Sequence, residues 1–221
     1  MKNIDNFNTI FFDLDGTLVQ SMENHYYAWK KSFLEYSITF NENEYYPLEG
    51  SKLIKIAEYI LLKNKKSKLL AEKIVKRKEI YYNSNNKIIF YKDVIKIINL
   101  LKKNYSIGIV TATKRKTFED TIPNNFIKKF NITITGDDTR NGKPSAEPYL
   151  LAAKKLNKKK SNCIVVENAP LGIMSAKNAG MFCIAISSTM SKSYLSKADI
   201  ILEKFNEILK LNVINKLQSI K

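Results

Sequence analysis

Apolar strand-like runs that alternate with stretches of helical apolar spacing predict an α/β protein, a doubly wound parallel sheet interrupted after its first strand by an all-helical insert. Three observations carry that prediction. Residues 8–15, NTIFFDLD, form an Ile- and Phe-rich run stopped by Gly16; from about 21 to 88 apolar residues recur every three or four; and from 91 onward strand and helix patterns alternate. The 221 residues suffice for one main domain carrying a smaller one, divided as 1–18 plus 91–221 for the core and 19–90 for the insert. At 44% hydrophobic and 11% aromatic, the chain is too apolar to be disordered.

The first strand ends at its aspartates. In the insert, Met22, Tyr26, Trp29 and Phe33, then Leu53, Ile56 and Ile60, then Leu70, Ile74, Arg77 and Tyr81 mark three or four amphipathic helices. Beyond it the pattern predicts a helix over 93–103, a strand in YSIGIVTAT ending at Thr111, and a strand in NITIT ending near Thr135. A helix over 146–156, the strand CIVVE ending at Glu167, a helix over 172–179, the strands MFCIAIS and ADIIL, and a closing helix over 205–217 complete the chain. Pro123 interrupts any helix in the segment after Thr113.

Thirty-seven Lys and Arg against 21 Asp and Glu give a net charge of +16. Lysines occur in short runs along the whole chain, at 63, 65 and 66 and again at 158–160, with no nucleic-acid-binding motif beside them, so a solvated basic surface and no nucleic-acid partner are expected. No apolar stretch reaches the roughly 20 residues of a membrane helix, and Asp5 and Asp13 break what a secretory leader would keep apolar. A cytoplasmic location without membrane partners is the expectation. Cys163 and Cys183 lie inside apolar runs and are read as buried, reduced thiols.

The polar residues at the carboxyl ends of the proposed strands are Asp13 and Asp15, Thr111, the Gly142-Lys143-Pro144 loop, and Glu167-Asn168. In an open parallel sheet these loops converge on one crevice. A carboxylate at a strand tip is a potential nucleophile and a second one beside it a potential general acid and base. By themselves the two aspartates equally suit an Asx-type turn.

Taken together, FFDLDGT, IVTAT, NGKPSAEPYL and IVVENAPLGIMSAKNAGM resemble, in order, the four motifs of the haloacid dehalogenase superfamily of aspartate-nucleophile phosphotransferases, in the members with a helical cap after the first strand. The resemblance implies a Rossmann-like core and an Mg2+-dependent phosphatase for a small phosphorylated metabolite. Asp13 would attack phosphorus and form an aspartyl-phosphate; Asp15 would protonate the leaving alcohol and then deprotonate the hydrolytic water. Thr111, Lys143 and the backbone N–H groups of Leu14 and Ala112 would hold the phosphoryl group. The Asp13 carboxylate, the Asp15 carbonyl and Asn168 would ligate Mg2+, with Glu167 reaching it directly or through water. Position 168 departs from the family pattern, which has Asp there, and Asn168 also suits a helix N-cap. Asp137 and Asp138 are read as shaping the loop that leads to Lys143.

In the insert, His25 and the last lysine of Lys76-Arg77-Lys78 resemble positions in β-phosphoglucomutases, so His25, Lys78 and Lys52 are candidate substrate contacts and a sugar-phosphate mutase is the alternative reading. The resemblance is partial: Gly50-Ser51-Lys52-Leu53 lacks the arginine that would grip a second phosphate, offering Lys52 or Lys55, and Thr17 is retained. Tyr45, Tyr46, Tyr81 and Tyr82 are read as packing within the insert, and a monomer or weak homodimer is expected.

Overall fold

The computed structural model describes residues 7–84, 87–212 and 214. Six parallel strands form one sheet in the order β3-β2-β1-β4-β5-β6, with β1 Thr9–Phe12, β2 Ser106–Val110, β3 Ile132–Ile134, β4 Cys163–Glu167, β5 Phe182–Ile186 and β6 Ile200–Leu202. Helices cover both faces, which is why the inner strands read as unbroken apolar runs. All four residues of β1 and all five of β4 are buried. Ile10 and Phe12 enter the apolar cluster on one face, and Phe11 enters the other. This is the two-residue alternation of a pleated strand.

Phe12 pairs with Ile109 on one side and Val166 on the other. The chain runs outward from β1 through β2 to β3, then returns to β4 on the opposite flank. Strand order therefore reverses beside β1, and the crevice of a doubly wound sheet opens at such a reversal. Asp13, the tips of β2 and β4 and the loop after β3 all meet there.

The insert consists of α1 Met22–Leu34, α2 Glu42–Tyr45, α3 Leu53–Lys63 and α4 Ala71–Ser84. Trp29, Phe33, Ile56, Ile60 and Ile74 pack in an apolar cluster of their own, apart from the two clusters against the sheet. Two adjacent linkers join it to the sheet: Gln20 N donates to Ile89 O at 2.7 Å, and Tyr91 N donates to Leu18 O at 3.1 Å.

The core helices are α5 Val94–Leu101, α6 Arg115–Thr121, α7 Asn124–Ile127, α8 Glu147–Lys155 and α9 Pro170–Asn178. The break between α6 and α7 falls at Pro123, before which Ile122 is extended at φ −90°, ψ 127°, the conformation that a following proline imposes. α9 begins two residues earlier than the apolar spacing predicts, because Pro170 occupies its first turn, where a missing N–H costs nothing. The closing helix is shorter than expected. Phe205–Lys210 forms a 3-10 helix that buries Phe205 and Ile208, three residues apart, and Leu211 at φ −77°, ψ 128° leaves the helical region. The rest of that expected helix, apart from Asn212 and Ile214, lies outside the described residues. Cys163 and Cys183 are buried free thiols. Among the described residues no helix is long and apolar enough to cross a membrane.

Candidate active site

Asp13 continues the line of β1, its N–H donating to Val166 O at 2.9 Å. The chain then turns tightly, with Leu14 O accepting from Leu18 N at 2.9 Å and Val19 N at 3.1 Å and Gly16 at φ +84°. Glycine is required there twice over: the backbone is left-handed, and a Cβ would lie 2.1 Å from Asn168 Nδ2. Asp13, Asp15, Thr111, Ala112, Asn168 and, from the insert, His25 and Glu49 line one cavity at this turn. The cavity measures about 30 Å3, room for one water-sized molecule.

Lys143 is 4% exposed and points from its loop to the tip of β1. Its ammonium donates to Asp13 Oδ1 at 2.5 Å, to Glu167 Oε1 at 2.5 Å and to Val110 O at 3.1 Å. Burial would lower its pKa, but the Asp13 and Glu167 charges outweigh that and hold it above the ordinary lysine range. Asp13 is shifted upward by burial first and by the Glu167 charge second, against the pull of Lys143. Asp13 Oδ2 accepts no hydrogen bond among the described residues. One oxygen of the candidate nucleophile is thus clamped and the other is open.

Asp15 is surrounded differently. Ser21 Oγ donates to Oδ1 at 2.6 Å, with His25 Nε2 at 3.1 Å; Thr113 Oγ1 donates to Oδ2 at 2.9 Å and Thr111 Oγ1 reaches it at 3.4 Å. Burial opposes ionisation, but the hydrogen bonds from His25, Ser21 and Thr113 hold Asp15 well below the ordinary carboxylate range. Behind His25, Lys78 Nζ lies 2.8 Å from Nδ1, and the Tyr82 ring stacks on the imidazole at 4.1 Å. An ammonium has no lone pair to offer, so Nδ1 accepts from Lys78 and Nε2–H donates to Asp15, which assigns the tautomer. Burial, then the Lys78 charge, lowers the His25 pKa, in keeping with Nδ1 as an acceptor. Burial also brings Lys78 down to about 8.

Glu167 is filled on both oxygens: Lys143 and Tyr149 Oη, at 2.8 Å, donate to Oε1, while the Asn168 and Ala169 amides donate to Oε2 at 3.0 and 3.3 Å. It anchors Lys143 and has no oxygen open for a direct metal bond. A Cβ on Gly172 would come within 1.8 Å of Glu167 Oε1, so the small residue in α9 makes room for the carboxylate. Asn168 accepts from Thr17 Oγ1 at 3.1 Å and donates to Thr189 Oγ1 at 3.2 Å. Its helix-capping alternative falls away, because the residue preceding α9 is Ala169 and no side chain caps that helix.

The expected phosphate cradle is partly assembled. Among the described residues the Leu14 and Ala112 amides meet no acceptor, while the Thr111 hydroxyl accepts from Thr113 N at 3.1 Å as well as reaching Asp15. Asp138 accepts from the Thr135 amide and hydroxyl at 2.7 and 2.8 Å, and Asp137 from Arg115 N at 2.8 Å, so both shape the loop after β3.

The expected cap contacts need correction. Lys52 Nζ is hydrogen-bonded to the Thr139 carbonyl, tying insert to core outside the cavity. Lys55 pairs with Glu58 at 2.9 Å. Lys78, 2% exposed, stands behind His25 and does not reach into the cavity. Tyr45 and Tyr82 pack within the insert as expected, Tyr82 by stacking on His25. Sequence reading missed Ser21, Thr113, Tyr149 and Glu49; the last is 9% exposed, and its Oε1 is buried without a hydrogen-bond partner.

The donor set suits a hard cation. The Asp15 carbonyl accepts no hydrogen bond among the described residues, Asn168 Oδ1 accepts a single one, and Asp13 brings a carboxylate of which Lys143 holds one oxygen. These are oxygens of the kind Mg2+ takes, completed by phosphate and water. The upward shift of Asp13 among neighbouring carboxylates marks a place where a further positive charge would stabilise the ionised form. Among the described residues no cluster of three His, Cys, Asp or Glu side chains is arranged as metal ligands.

A sequence model of the family described as haloacid dehalogenase-like hydrolase matches residues 10–186. The validoxylamine A 7'-phosphate phosphatase of Streptomyces hygroscopicus subsp. limoneus is 27% identical over 202 residues, spanning 89% of this chain and 93% of that protein. The pyrophosphatase PpaX of Bacillus cereus (strain G9842) is 28% identical over 208 residues, spanning 91% of this chain and 94% of its own. A putative β-phosphoglucomutase from Bacteroides vulgatus shares the fold with a TM-score of 0.81 at 24% identity, over 93% of this chain and 87% of that one.

Proposed function

This chain belongs to the haloacid dehalogenase-like hydrolase family, and we propose that it is a Mg2+-dependent cytoplasmic phosphatase that releases phosphate from a small phosphorylated metabolite through an aspartyl-phosphate on Asp13. The observation that carries this reading is the pair Asp13 and Asp15 in one closed cavity, with Lys143 holding one oxygen of Asp13 and leaving the other open. The phosphatase names of the two sequence relatives agree with it.

In the first half-reaction Asp15, a carboxylate before substrate binds, takes the proton of the bound phosphate monoanion; Asp13 Oδ2 bonds to phosphorus, the ester P–O bond breaks, and Asp15 gives that proton to the departing alcohol oxygen. In the second, water attacks the aspartyl-phosphate, Asp15 takes the water proton, and the Asp13–phosphorus bond breaks to release inorganic phosphate. The ring of donors around Asp15 holds it as carboxylate, the form the second half needs. Lys143 and the Leu14 and Ala112 amides balance charge on the phosphoryl oxygens in place of bulk water. Mg2+, held by Asp13, the Asp15 carbonyl and Asn168, supplies further charge neutralisation when bound. A neutral amide at 168 makes that site weaker than a carboxylate would.

Residues 19–90 act as a cap. A cavity of about 30 Å3 admits no organic phosphate, so the cap swings on the paired linkers at Leu18–Gln20 and Ile89–Tyr91 to admit substrate and closes to exclude water. A mutase would need a second phosphate grip in the cap, and Lys52 and Lys78 are both engaged elsewhere, which favours the phosphatase. The test is phosphate release from p-nitrophenyl phosphate and a panel of phosphorylated metabolites, with Mg2+ and with EDTA. Turnover that is lost with EDTA and with Asp13→Asn supports the proposal; equal turnover in wild type and variant ends it.

A further inference from the structure

Glu49 stands on the loop between the 3-10 turn Tyr46–Leu48 and α3, over the catalytic aspartates. The loop fixes it firmly. Glu49 N donates to Tyr46 O at 3.1 Å, Ser51 N donates to Leu48 O at 3.2 Å, and Gly50 at φ +86° presses onto the core, where an added Cβ would lie 3.3 Å from Lys143 Cδ and 3.5 Å from Gly172 N. Its side chain ends in the cavity with Oε1 buried and unpartnered. A carboxyl oxygen buried without a donor is destabilising. No catalytic step described above uses Glu49.

We propose that Glu49 is the specificity residue of this phosphatase, accepting a hydrogen bond from a hydroxyl or ammonium group on the leaving alcohol and rejecting substrates that carry a second anionic group there. The assignment rests on the phosphatase reading and deepens it. The leaving oxygen must depart toward Asp15, and Glu49 lines the same cavity from the cap side, where the body of the leaving group lies once the cap has closed over it. A site with a buried acceptor discriminates strongly against ligands that leave it unmet, and a second phosphate or carboxylate brings no donor to Glu49 and adds like charge beside Asp13 and Asp15. Burial, followed by the Asp15 charge, raises Glu49 well above the ordinary carboxylate range, and a donor on the substrate restores the ionised form. The substrate class is therefore a phosphorylated polyol or amino alcohol that carries one phosphate and no other anion.

The experiment compares kcat/KM for glucose 6-phosphate, phosphoethanolamine and 2-phosphoglycolate, each as a ratio to p-nitrophenyl phosphate, in the full chain and in Glu49→Gln and Glu49→Ala. In the wild type glucose 6-phosphate or phosphoethanolamine exceeds 2-phosphoglycolate by roughly tenfold or more, and which of the two leads tells hydroxyl from ammonium. In Glu49→Ala the favoured ratio falls by about tenfold, mainly through KM, and in both variants the 2-phosphoglycolate ratio rises. Thermal melting separates recognition from structural support: Glu49→Gln melts no lower than wild type, because it replaces an unmet buried carboxyl. A wild-type preference for 2-phosphoglycolate, unchanged ratios in both variants, or a lower melting temperature for Glu49→Gln overturns the assignment while Asp13-dependent release leaves the phosphatase reading standing. Absence of Asp13-dependent release from every compound overturns both.

Discussion

On the sheet side of the cavity Asp15 and Glu167 are each met by four donors, whereas on the cap side Glu49 presents an oxygen, Oε1, that no donor among the described residues meets. Both regions bury carboxylates, so the difference does not come from burial. Groups that must keep one geometry through a reaction are fixed by the protein's own donors, and a group whose partner arrives with the substrate is left unmet until then. Asp13 falls between the two, with one oxygen held by Lys143 and one left open for bond formation.

That contrast can be broken first at its centre. Asp13→Asn removes the nucleophile with little change in shape and should lower kcat by about 10^4-fold or more, read as phosphate release, while the far-ultraviolet circular dichroism stays that of the wild type. Lys143→Met should be nearly as damaging to activity and, unlike the first, also to the fold. It leaves Asp13 and Glu167 buried without their cation, a loss of about 3–5 kcal/mol for a broken buried pair, measurable as a shift of the urea midpoint. A variant that is inactive but as stable as wild type would show that the triad of Asp13, Lys143 and Glu167 is less tightly coupled than its 2.5 Å contacts indicate.

The chain from Lys78 through His25 to Asp15 predicts smaller, pH-dependent effects. Lys78 titrates near 8, so kcat/KM should decline as pH rises through that value, because the ammonium that fixes the His25 ring is being lost. Lys78→Met should turn over roughly tenfold more slowly and show no such limb. His25→Ala removes the leading influence holding Asp15 low, so the acidic limb of the profile should move to higher pH; an unmoved limb would separate Asp15 from this network. The mildest expected change is a gain. Asn168→Asp exchanges a neutral ligand for a charged one and should lower the Mg2+ concentration for half-maximal activity by about tenfold, read by metal titration.

Much of this arrangement is legible in the sequence because strand-end positions are set by local pattern. The runs before Asp13, Thr111 and Glu167 announce strands, and their tips converge whatever else the chain does. Asp13 and Asp15 were found that way, and Lys143 through the likeness of its loop motif to the family's. Glu49, Ser21 and Tyr149 were not, because their placement depends on how the insert and α8 pack against the sheet. Tyr149 lies within the run that carries Lys143, yet its contact with Glu167 exists only because α8 packs against β2 and β3. Lys52 and Lys78 show the same limit in reverse: their types suited a phosphate grip, but side-chain direction sent one to Thr139 and the other behind His25. The closing helix was over-read for a different reason. Phe205 and Ile208 have helical spacing, and a 3-10 turn of six residues already buries both.

The most direct test of the central claim is the mass of the Asp13-containing peptide from enzyme quenched with acid during turnover of p-nitrophenyl phosphate. A phosphoryl adduct on Asp13, accumulating in Asp15→Asn and absent from Asp13→Asn, is the predicted result. Sustained turnover with that peptide unmodified under every quench condition would contradict the account.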